Sequence, residues 1–374
     1  MNRSKLIISQ IVLFPFTFLY WLVVSLRNML FNQEILESHE FDLPIISVGN
    51  ITAGGTGKTP HTEYLVELFN KEKYVQAVLS RGYKRKTRDF LIADLSSTTK
   101  QIGDEAKQLK HKYPHLIVAV DRKRVHGIKE LLKLATVPDL ILLDDAFQHR
   151  FVKPGKSIVL MDYSRLVTDD ALLPAGRLRE PISALKRANI ILITKSPATI
   201  KPIEMRSIVK RIGTGMHQHL FFSTIEYEGI YPVFDSCGPK TIEDLKQCAS
   251  SVLLLTGIAN PRPLRKFARG ISPKLAELRY PDHHPFTYSD IEKIRKKITG
   301  MPGENAVILT TEKDGMRLME LEMEDELKEK LYYVQIKVKF VGEQNEEFDK
   351  IVLDYVRSNK RDNILHKKPN KSLT

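Results

Sequence analysis

The apolar run Pro44-Ile45-Ile46-Ser47-Val48 breaks at once into Gly49-Asn50-Ile51-Thr52-Ala53-Gly54-Gly55-Thr56-Gly57-Lys58-Thr59-Pro60. A short buried-type strand that empties into glycines and then Gly-Lys-Thr, ahead of a helical pattern, constrains the fold more than any other stretch. Glycines let backbone N–H groups turn inward around phosphate oxygens, and the positive end of the following helix faces the same anion. The spacing assigns a nucleotide triphosphate to the stretch Thr52, Ala53, Gly54, Gly55, Thr56, Gly57, Lys58, Thr59 and Pro60. Lys58 reaches the β/γ-phosphates and the Thr59 hydroxyl holds Mg²⁺. The usual G-x-x-x-x-G-K-[ST] pattern asks for glycine at position 52, where this chain has Thr52. Gly54-Gly55 supplies the flexibility two residues later. A glycine-rich turn with a coincidental Lys-Thr is the bland alternative, and the strand and helix on either side weigh against it.

The chain has 374 residues, enough for a large core and two domains. Its 58 basic and 45 acidic residues leave a net charge of +13, which favours an anionic partner. No nucleic-acid-binding module is recognisable, so phosphorylated substrates and anionic membrane lipid are the better candidates. The two cysteines, Cys237 and Cys248, exclude a disulfide framework or a Cys-built zinc site and fit a reducing cytoplasm.

Residues 6–26 contain no charged side chain, with Arg3, Lys5 and Arg27 bracketing the run. A stretch of about 20 residues can cross a hydrocarbon core, and Tyr20 and Trp21 suit an interface. A cleaved signal peptide fits less well, because no small-x-small site follows and the run is longer than a normal h-region. Gln10 and Pro15 weaken a spanning helix, leaving a helix in the membrane plane equally open.

Downstream, short apolar runs at 75–79, 116–120, 139–143, 157–162 and 190–194 alternate with helical spacing at 62–71, 103–113 and 125–134. That alternation predicts a doubly wound, mostly parallel α/β sheet of the P-loop NTPase kind. An aromatic, extended stretch at 220–233 then connects to a second, smaller α/β unit with strands at 251–255, 307–310 and 332–338. The expected organisation is a membrane-associated helix at 1–31, a P-loop core at 32–220, a second domain at 221–350 and a basic tail at 351–374. From residue 357 the tail is polar enough to be disordered.

Leu140-Ile141-Leu142-Leu143-Asp144-Asp145 is an apolar strand ending in two carboxylates. Beside a phosphate loop such a pair calls for a cation, so Asp144 and Asp145 are the expected Mg²⁺ partners with Thr59. Gly103-Asp104-Glu105 opens a helix, where an acid is usually a cap. Asp282-His283-His284 offers a histidine poised by an acid. Basic pieces recur around Arg81, Arg124 and Arg179, and arginine forks suit phosphate oxygens, although charge runs are often only solvated faces.

Taken in order, these blocks resemble the tetraacyldisaccharide 4′-kinases. The match includes residues 49–60 with Thr52, Ser80-Arg81-Gly82-Tyr83, Gly103-Asp104-Glu105, Asp144-Asp145-Ala146-Phe147-Gln148-His149 and Leu173-Pro174-Ala175-Gly176-Arg177-Leu178-Arg179-Glu180-Pro181. Gly257-Ile258-Ala259-Asn260-Pro261, Pro281-Asp282-His283-His284 and Thr310-Thr311-Glu312-Lys313-Asp314 complete it. Ala146 and Arg177 depart from the family's common glycine and proline. The resemblance implies an ATP- and Mg²⁺-dependent kinase that phosphorylates the 4′-hydroxyl of an acylated glucosamine disaccharide 1-phosphate. It implies a site on the cytoplasmic face of the inner membrane of a Gram-negative-type bacterium, with no protein partner evident. The catalytic residues it implies are Asp104, His283, Lys58, Asp144 and Asp145. Asp104 would accept the sugar proton with His283 tuning it, and closure of the two domains would complete the site. Substrate contacts are expected from Asn50, Arg81, Arg124, Gln148, Arg179 and Glu180.

The rival is a membrane-recruited regulatory P-loop ATPase, which normally has a lysine where this chain has Ala53 and has no use for Asp282-His283-His284. A GTPase is disfavoured because Thr194-Lys195-Ser196-Pro197 ends in proline where guanine reading requires an aspartate.

Overall fold

The computed structural model describes residues 3–234, 238, 240–303 and 305–365. Cys237 and residues 366–374 of the expected tail lie outside the described residues. The first half runs α1 (Arg3–Asn32), β1 (Ile45–Gly49), α2 (Lys58–Lys71), β2 (Gln76–Ser80), β3 (Leu91–Ile92), α3 (Thr99–Ile102), α4 (Asp104–Lys112) and β4 (Ile117–Val120). It continues through α5 (Arg124–Leu131), β5 (Leu140–Asp144), β6 (Lys156–Asp162), β7 (Ile190–Thr194) and α6 (Pro202–Ile212). The second half has β8 (His219–Pro232), α7 (Ile242–Cys248), β9 (Ser251–Thr256), α8 (Arg262–Ile271), β10 (Leu275–Arg279) and α9 (Tyr288–Thr299). It closes with β11 (Ala306–Thr311), α10 (Glu312–Leu318), α11 (Asp325–Glu329), β12 (Leu331–Phe340) and α12 (Gln344–Leu365).

All strands join one 12-stranded sheet in the order β10-β9-β11-β12-β8-β7-β6-β1-β5-β2-β4-β3. Strands β1, β2, β5 and β7 are buried along their whole length. Continuous apolar runs of that kind are what a parallel sheet covered on both faces requires. Pairing is parallel except at β8–β12 and β3–β4. The aromatic stretch expected to be a connection is itself the joining strand. Residues His219–Phe222 of β8 pair parallel with β7, and the remainder pairs antiparallel with β12.

The C-terminal expectation needs correction. Residues 351–365 continue α12, and Val352 and Val356 are fully buried. Together with Phe348, Leu353, Val338 and Phe340 they pack into the core around β1, β5 and α2. Tyr355 also receives a hydrogen bond from the Ile45 N–H at 3.0 Å. Amphipathic spacing beneath a basic surface hid this helix, because charge alone reads as a solvated tail.

In a parallel sheet the loops after the strands gather at the carboxyl edge, and that edge is where ligands bind. Here it collects the loop after β1, Arg81 after β2, Asp121 after β4, Asp144-Asp145 at the end of β5, Asp162 at the end of β6 and Lys195 after β7. Helices α4 and α10 contribute their N-terminal turns to the same edge.

Candidate phosphoryl-transfer site

Strand β1 ends at Gly49, where a Cβ would lie 2.9 Å from the Phe147 backbone nitrogen, so only glycine fits beside the turn that follows β5. The loop then runs to Gly57, whose φ of 87° sets the N-cap of α2 in the left-handed region. Gly54, at φ 122°, has the same requirement. Position 52 does not. Thr52 is 8% exposed and bridges antiparallel to Leu178, while the Ala53 N–H donates to Arg177 O and the Arg179 N–H donates to Ile51 O, both at 2.7 Å. The first part of the loop is a short strand paired with residues 177–179, which explains why threonine replaces the expected glycine. Further bonds fix the loop's shape. Asn50 Nδ2 donates to Thr56 Oγ1 at 2.9 Å and Thr194 Oγ1 donates to Thr56 O at 2.8 Å. Lys195 Nζ donates to Gly55 O. His61 bonds Gly57 O through Nδ1 at 2.7 Å and Ser223 Oγ through Nε2 at 2.8 Å. Burial lowers the His61 pKa to about 4, so the ring is neutral and holds the α2 N-terminus to β8.

Beside this loop, Lys58 Nζ stands 3.5 Å from Asp145 Oδ1, and Arg179 Nη1 lies 3.5 Å from Asp145 Oδ2. Asp145 has φ 48°, a left-handed conformation that aspartate tolerates better than most residues. Its burial favours the neutral form, but the Lys58 and Arg179 charges outweigh that and hold the carboxyl below its usual range. Asp144 is the opposite. It is 6% exposed, and its Oδ1 is buried with no hydrogen-bond partner among the described residues. Burial first, and the Asp145 charge second, push its pKa up to about 7. The Glu105 charge at the α4 N-terminus raises it further.

Asp104 is the first residue of α4, placed there by Gly103 at φ 88°. A Cβ on Gly103 would come 3.1 Å from the Gly82 backbone, so the two glycines let the β2 loop and the α4 turn approach. His283, at φ 59°, brings Nδ1 to 2.7 Å from Asp104 Oδ2. The sequence could only suggest this pair, whose members are 179 residues apart. They touch across a continuous sheet, so no further approach of two units is needed to join them, contrary to the closure expected from sequence. Two α10 side chains, missed in the sequence, meet here. Arg317 donates to Asp104 Oδ2 from Nε at 3.0 Å and Nη2 at 2.7 Å. Lys313 Nζ bonds Glu105 Oε1 at 2.5 Å and lies 3.3 Å from His283 Nε2. Burial favours the neutral acid at Asp104, but His283 and Arg317 outweigh it and bring its pKa down to about 2. Lys313 and Arg317 share one helical face at i and i+4, the signal that spacing from Thr310-Thr311-Glu312-Lys313-Asp314 offered.

Four expected substrate contacts are placed in the scaffold instead. Arg124 is 2% exposed and donates to the carbonyls of Asp121 and Asp144 (the latter at 3.1 Å), so it braces the end of β5 rather than facing a phosphate. Gln148 Nε2 donates to Asn50 O at 2.8 Å, and Asn50 is fully buried inside the loop. Glu180 is 2% exposed and is paired with Arg187 and Asn28. Arg81 is exposed and Arg179 half-buried, which leaves these two guanidinium groups at the open edge.

The polar face of α1 docks onto this same region. Tyr20 OH donates to Arg179 O at 2.9 Å, Arg27 Nη2 to Gln148 O at 3.0 Å and Asn28 Nδ2 to Glu180 Oε2 at 3.2 Å. Its other face exposes Phe14, Phe18, Leu19, Trp21, Leu22 and Val23. This inverts the usual surface helix, which hides its apolar stripe.

Residues 9–357 match the family model described as tetraacyldisaccharide-1-P 4′-kinase. The tetraacyldisaccharide 4′-kinase of Parabacteroides distasonis is 46% identical over 350 residues, covering 92% of this chain and 94% of that protein. The enzyme of the same name from Phocaeicola vulgatus is 44% identical over 352 residues, covering 93% and 96%. A crystal structure of LpxK from Aquifex aeolicus in complex with ATP superposes with a TM-score of 0.72 at 28% identity, covering 93% of this chain and 99% of that one. With a nucleotide loop, a carboxylate pair and a His–Asp couple on one sheet edge, and relatives matched almost end to end, this chain belongs to the tetraacyldisaccharide-1-phosphate 4′-kinase family.

Proposed function

We propose that this chain transfers the γ-phosphoryl group of ATP to the 4′-hydroxyl of an acylated glucosamine disaccharide 1-phosphate, working at the cytoplasmic face of the inner membrane of a Gram-negative-type bacterium. The observation that carries this reading is the 2.7 Å contact of His283 with Asp104 on the sheet edge that also holds Lys58 and Asp145. Regulatory ATPase activity has no use for such a couple outside the nucleotide loop.

The backbone of residues 52–57 and the Lys58 ammonium grip the triphosphate, and Thr59 and Pro60 begin the helix whose positive end faces it. Among the described residues no group of three or more His, Cys, Asp or Glu side chains is arranged to hold a metal alone. Magnesium in kinases shares its shell with phosphate oxygens and water, so one or two carboxylates suffice. The buried Asp144 Oδ1, without a hydrogen-bond partner among the described residues, fits that demand, with Asp145 next in the chain and Thr59 in the first turn of α2. Bound there, magnesium would neutralise charge on the transferring phosphoryl group. Asp104 orients the acceptor hydroxyl and takes its proton late, and His283, hydrogen-bonded to Asp104 Oδ2, tunes the carboxylate. A carboxylate held near pKa 2 is a weak base, so orientation supplies most of its effect. Arg179 and Arg81 face anionic oxygens at the open side.

The N-terminal helix favours the in-plane arrangement. Contacts from Thr17 to Phe31 tie α1 to the body over about 20 Å of its length. A helix so tied on its polar side cannot be surrounded by hydrocarbon there, whereas its exposed apolar face can sink into one leaflet. Vesicle sedimentation checks this. Replacing Phe14, Phe18 and Leu22 by serine should release the protein from anionic vesicles while ATP binding persists, and unchanged pelleting would assign lipid binding to another surface. The activity itself is tested with purified protein, Mg²⁺-ATP and the lipid disaccharide 1-phosphate. The 4′-phosphorylated lipid is the expected product, whereas ATP hydrolysis with no lipid product would support the regulatory reading.

A further inference from the structure

Two sequence blocks, Gly257-Ile258-Ala259-Asn260-Pro261 and Thr310-Thr311-Glu312-Lys313-Asp314, have no part in the chemistry above, and the fold brings both against the His283–Asp104 couple. Asp314 is fully buried. Its Oδ2 accepts from the Gly257 N–H at 2.9 Å and from Thr311 Oγ1 at 2.8 Å, and its Oδ1 accepts from Arg317 Nη1 at 2.8 Å. Gly257 O in turn accepts from the His283 N–H at 3.1 Å. A Cβ on Gly257 would sit 2.9 Å from Asp314 Oδ1, so glycine is needed for the approach. One carboxylate therefore holds both the strand end that supports His283 and the guanidinium that grips Asp104.

We propose that Arg317, seated by Asp314, is a positioning residue for phosphoryl transfer: it pins Asp104 through Oδ2 so that Oδ1 is the oxygen presented to the acceptor hydroxyl. Among the described residues, all three donors to Asp104 from outside its own helix, His283 Nδ1 and two nitrogens of Arg317, converge on Oδ2, and none uses Oδ1. A carboxylate with one donor can rotate about its Cβ–Cγ bond. With a planar fork and an imidazole on one oxygen, that rotation is blocked. Arginine rather than lysine is required, because only the guanidinium fork bonds Asp104 and Asp314 at once. This inference rests on the kinase reading and deepens it.

The test uses the full-length protein, Mg²⁺-ATP and the lipid acceptor, comparing wild type, Arg317→Ala, Arg317→Lys and Asp104→Ala for kcat, both KM values and the pH dependence of kcat. The groups facing Asp104 are Glu105 on its own helix, His283, and Lys313, Asp314 and Arg317 from α10, with the Tyr83 ring 5.1 Å from His283. Arg317→Ala is expected to lower kcat about 100-fold with the KM for ATP unchanged. The acid limb of its pH profile should rise toward the ordinary carboxylate range, about pH 4. Arg317→Lys should keep the acid limb low, since the charge remains, yet recover only part of kcat. Wild-type kcat and pH profile in Arg317→Ala would overturn the proposal. If that variant does not fold, Arg317→Lys decides alone: a kcat equal to wild type overturns the proposal, and a reduced kcat with intact ATP binding supports it. Failure of the wild type to phosphorylate the lipid would instead sink the kinase reading, so the two failures are distinguishable.

Discussion

Two carboxylates at the same sheet edge are treated in opposite ways. Asp144 is buried with Oδ1 unpartnered, and its pKa is pushed up to about 7. Asp104, similarly shielded, receives three donors on one oxygen and is brought down to about 2. The first is destabilised as an anion until a cation arrives, which suits a group that waits for a metal carried in with the nucleotide. The second already has its partners, so it cannot be a strong base and must act by holding the acceptor in line. The contrast separates the phosphate half of the site from the acceptor half.

The largest effect that would sharpen this contrast is on turnover. Asp104→Ala should lower kcat by about 100- to 10,000-fold while ATP affinity by calorimetry changes little. A parallel loss of ATP binding would move Asp104 into the nucleotide half and erase the distinction. Asp144→Asn should also abolish transfer, but it should differ in stability. Removing an unpaired buried charge should raise the ligand-free Tm at pH 8 by about 2–4 °C, and it should shrink the stabilisation that Mg²⁺-ATP gives the wild type. A lower Tm in this variant would mean that Asp144 has a partner stronger than those seen.

A smaller effect is the pH dependence of unfolding, where the signs are opposed. Asp144 has a folded pKa above its unfolded value, so the native state binds the proton more tightly. Its share of stability is present below about pH 4 and is lost as pH rises through about 7. Asp104 has a folded pKa below its unfolded value. Its share, about 2 kcal/mol, is present above about pH 4 and is lost as pH falls through about 2. In denaturation curves against wild type, both Asn variants should therefore diverge toward high pH with opposite signs: Asp144→Asn becomes relatively more stable as pH rises from about 4 to about 7, and Asp104→Asn relatively less stable as pH rises from about 2 to about 4. Differences of the same sign at pH 8 would contradict the assignment.

Much of the phosphate half was legible in the sequence because it is local. A strand, a glycine turn and Lys58-Thr59 lie within the one stretch from Ile45 to Thr59, and Asp144-Asp145 ends its own apolar strand. Even the departure at Thr52 follows from local geometry once residues 177–179 are seen to pair with it. The acceptor half is long-range. Asp104 reads as an ordinary helix cap, and nothing near it in sequence announces Arg317, 213 positions away. The same distance problem misassigned Arg124, Gln148 and Glu180. Each looked like a ligand contact because it is polar beside a motif, whereas Arg124 and Glu180 are buried against backbone or a charge partner and the half-buried Gln148 bonds the Asn50 carbonyl. The tail failed for a different reason. Val352 and Val356 are spaced for a buried stripe, but the polar and basic run from Arg357 onward masked it.

The most direct measurement is a complex of the wild-type protein with a non-hydrolysable ATP analogue, Mg²⁺ and the lipid disaccharide 1-phosphate. It should show Asp104 Oδ1 within hydrogen-bond reach of the 4′-hydroxyl, Arg317 still on Oδ2, and Asp144 turned to the metal. A sugar hydroxyl seated on Asp144, or an Asp104 carboxylate facing away from the acceptor, would contradict the division of labour between the two carboxylates.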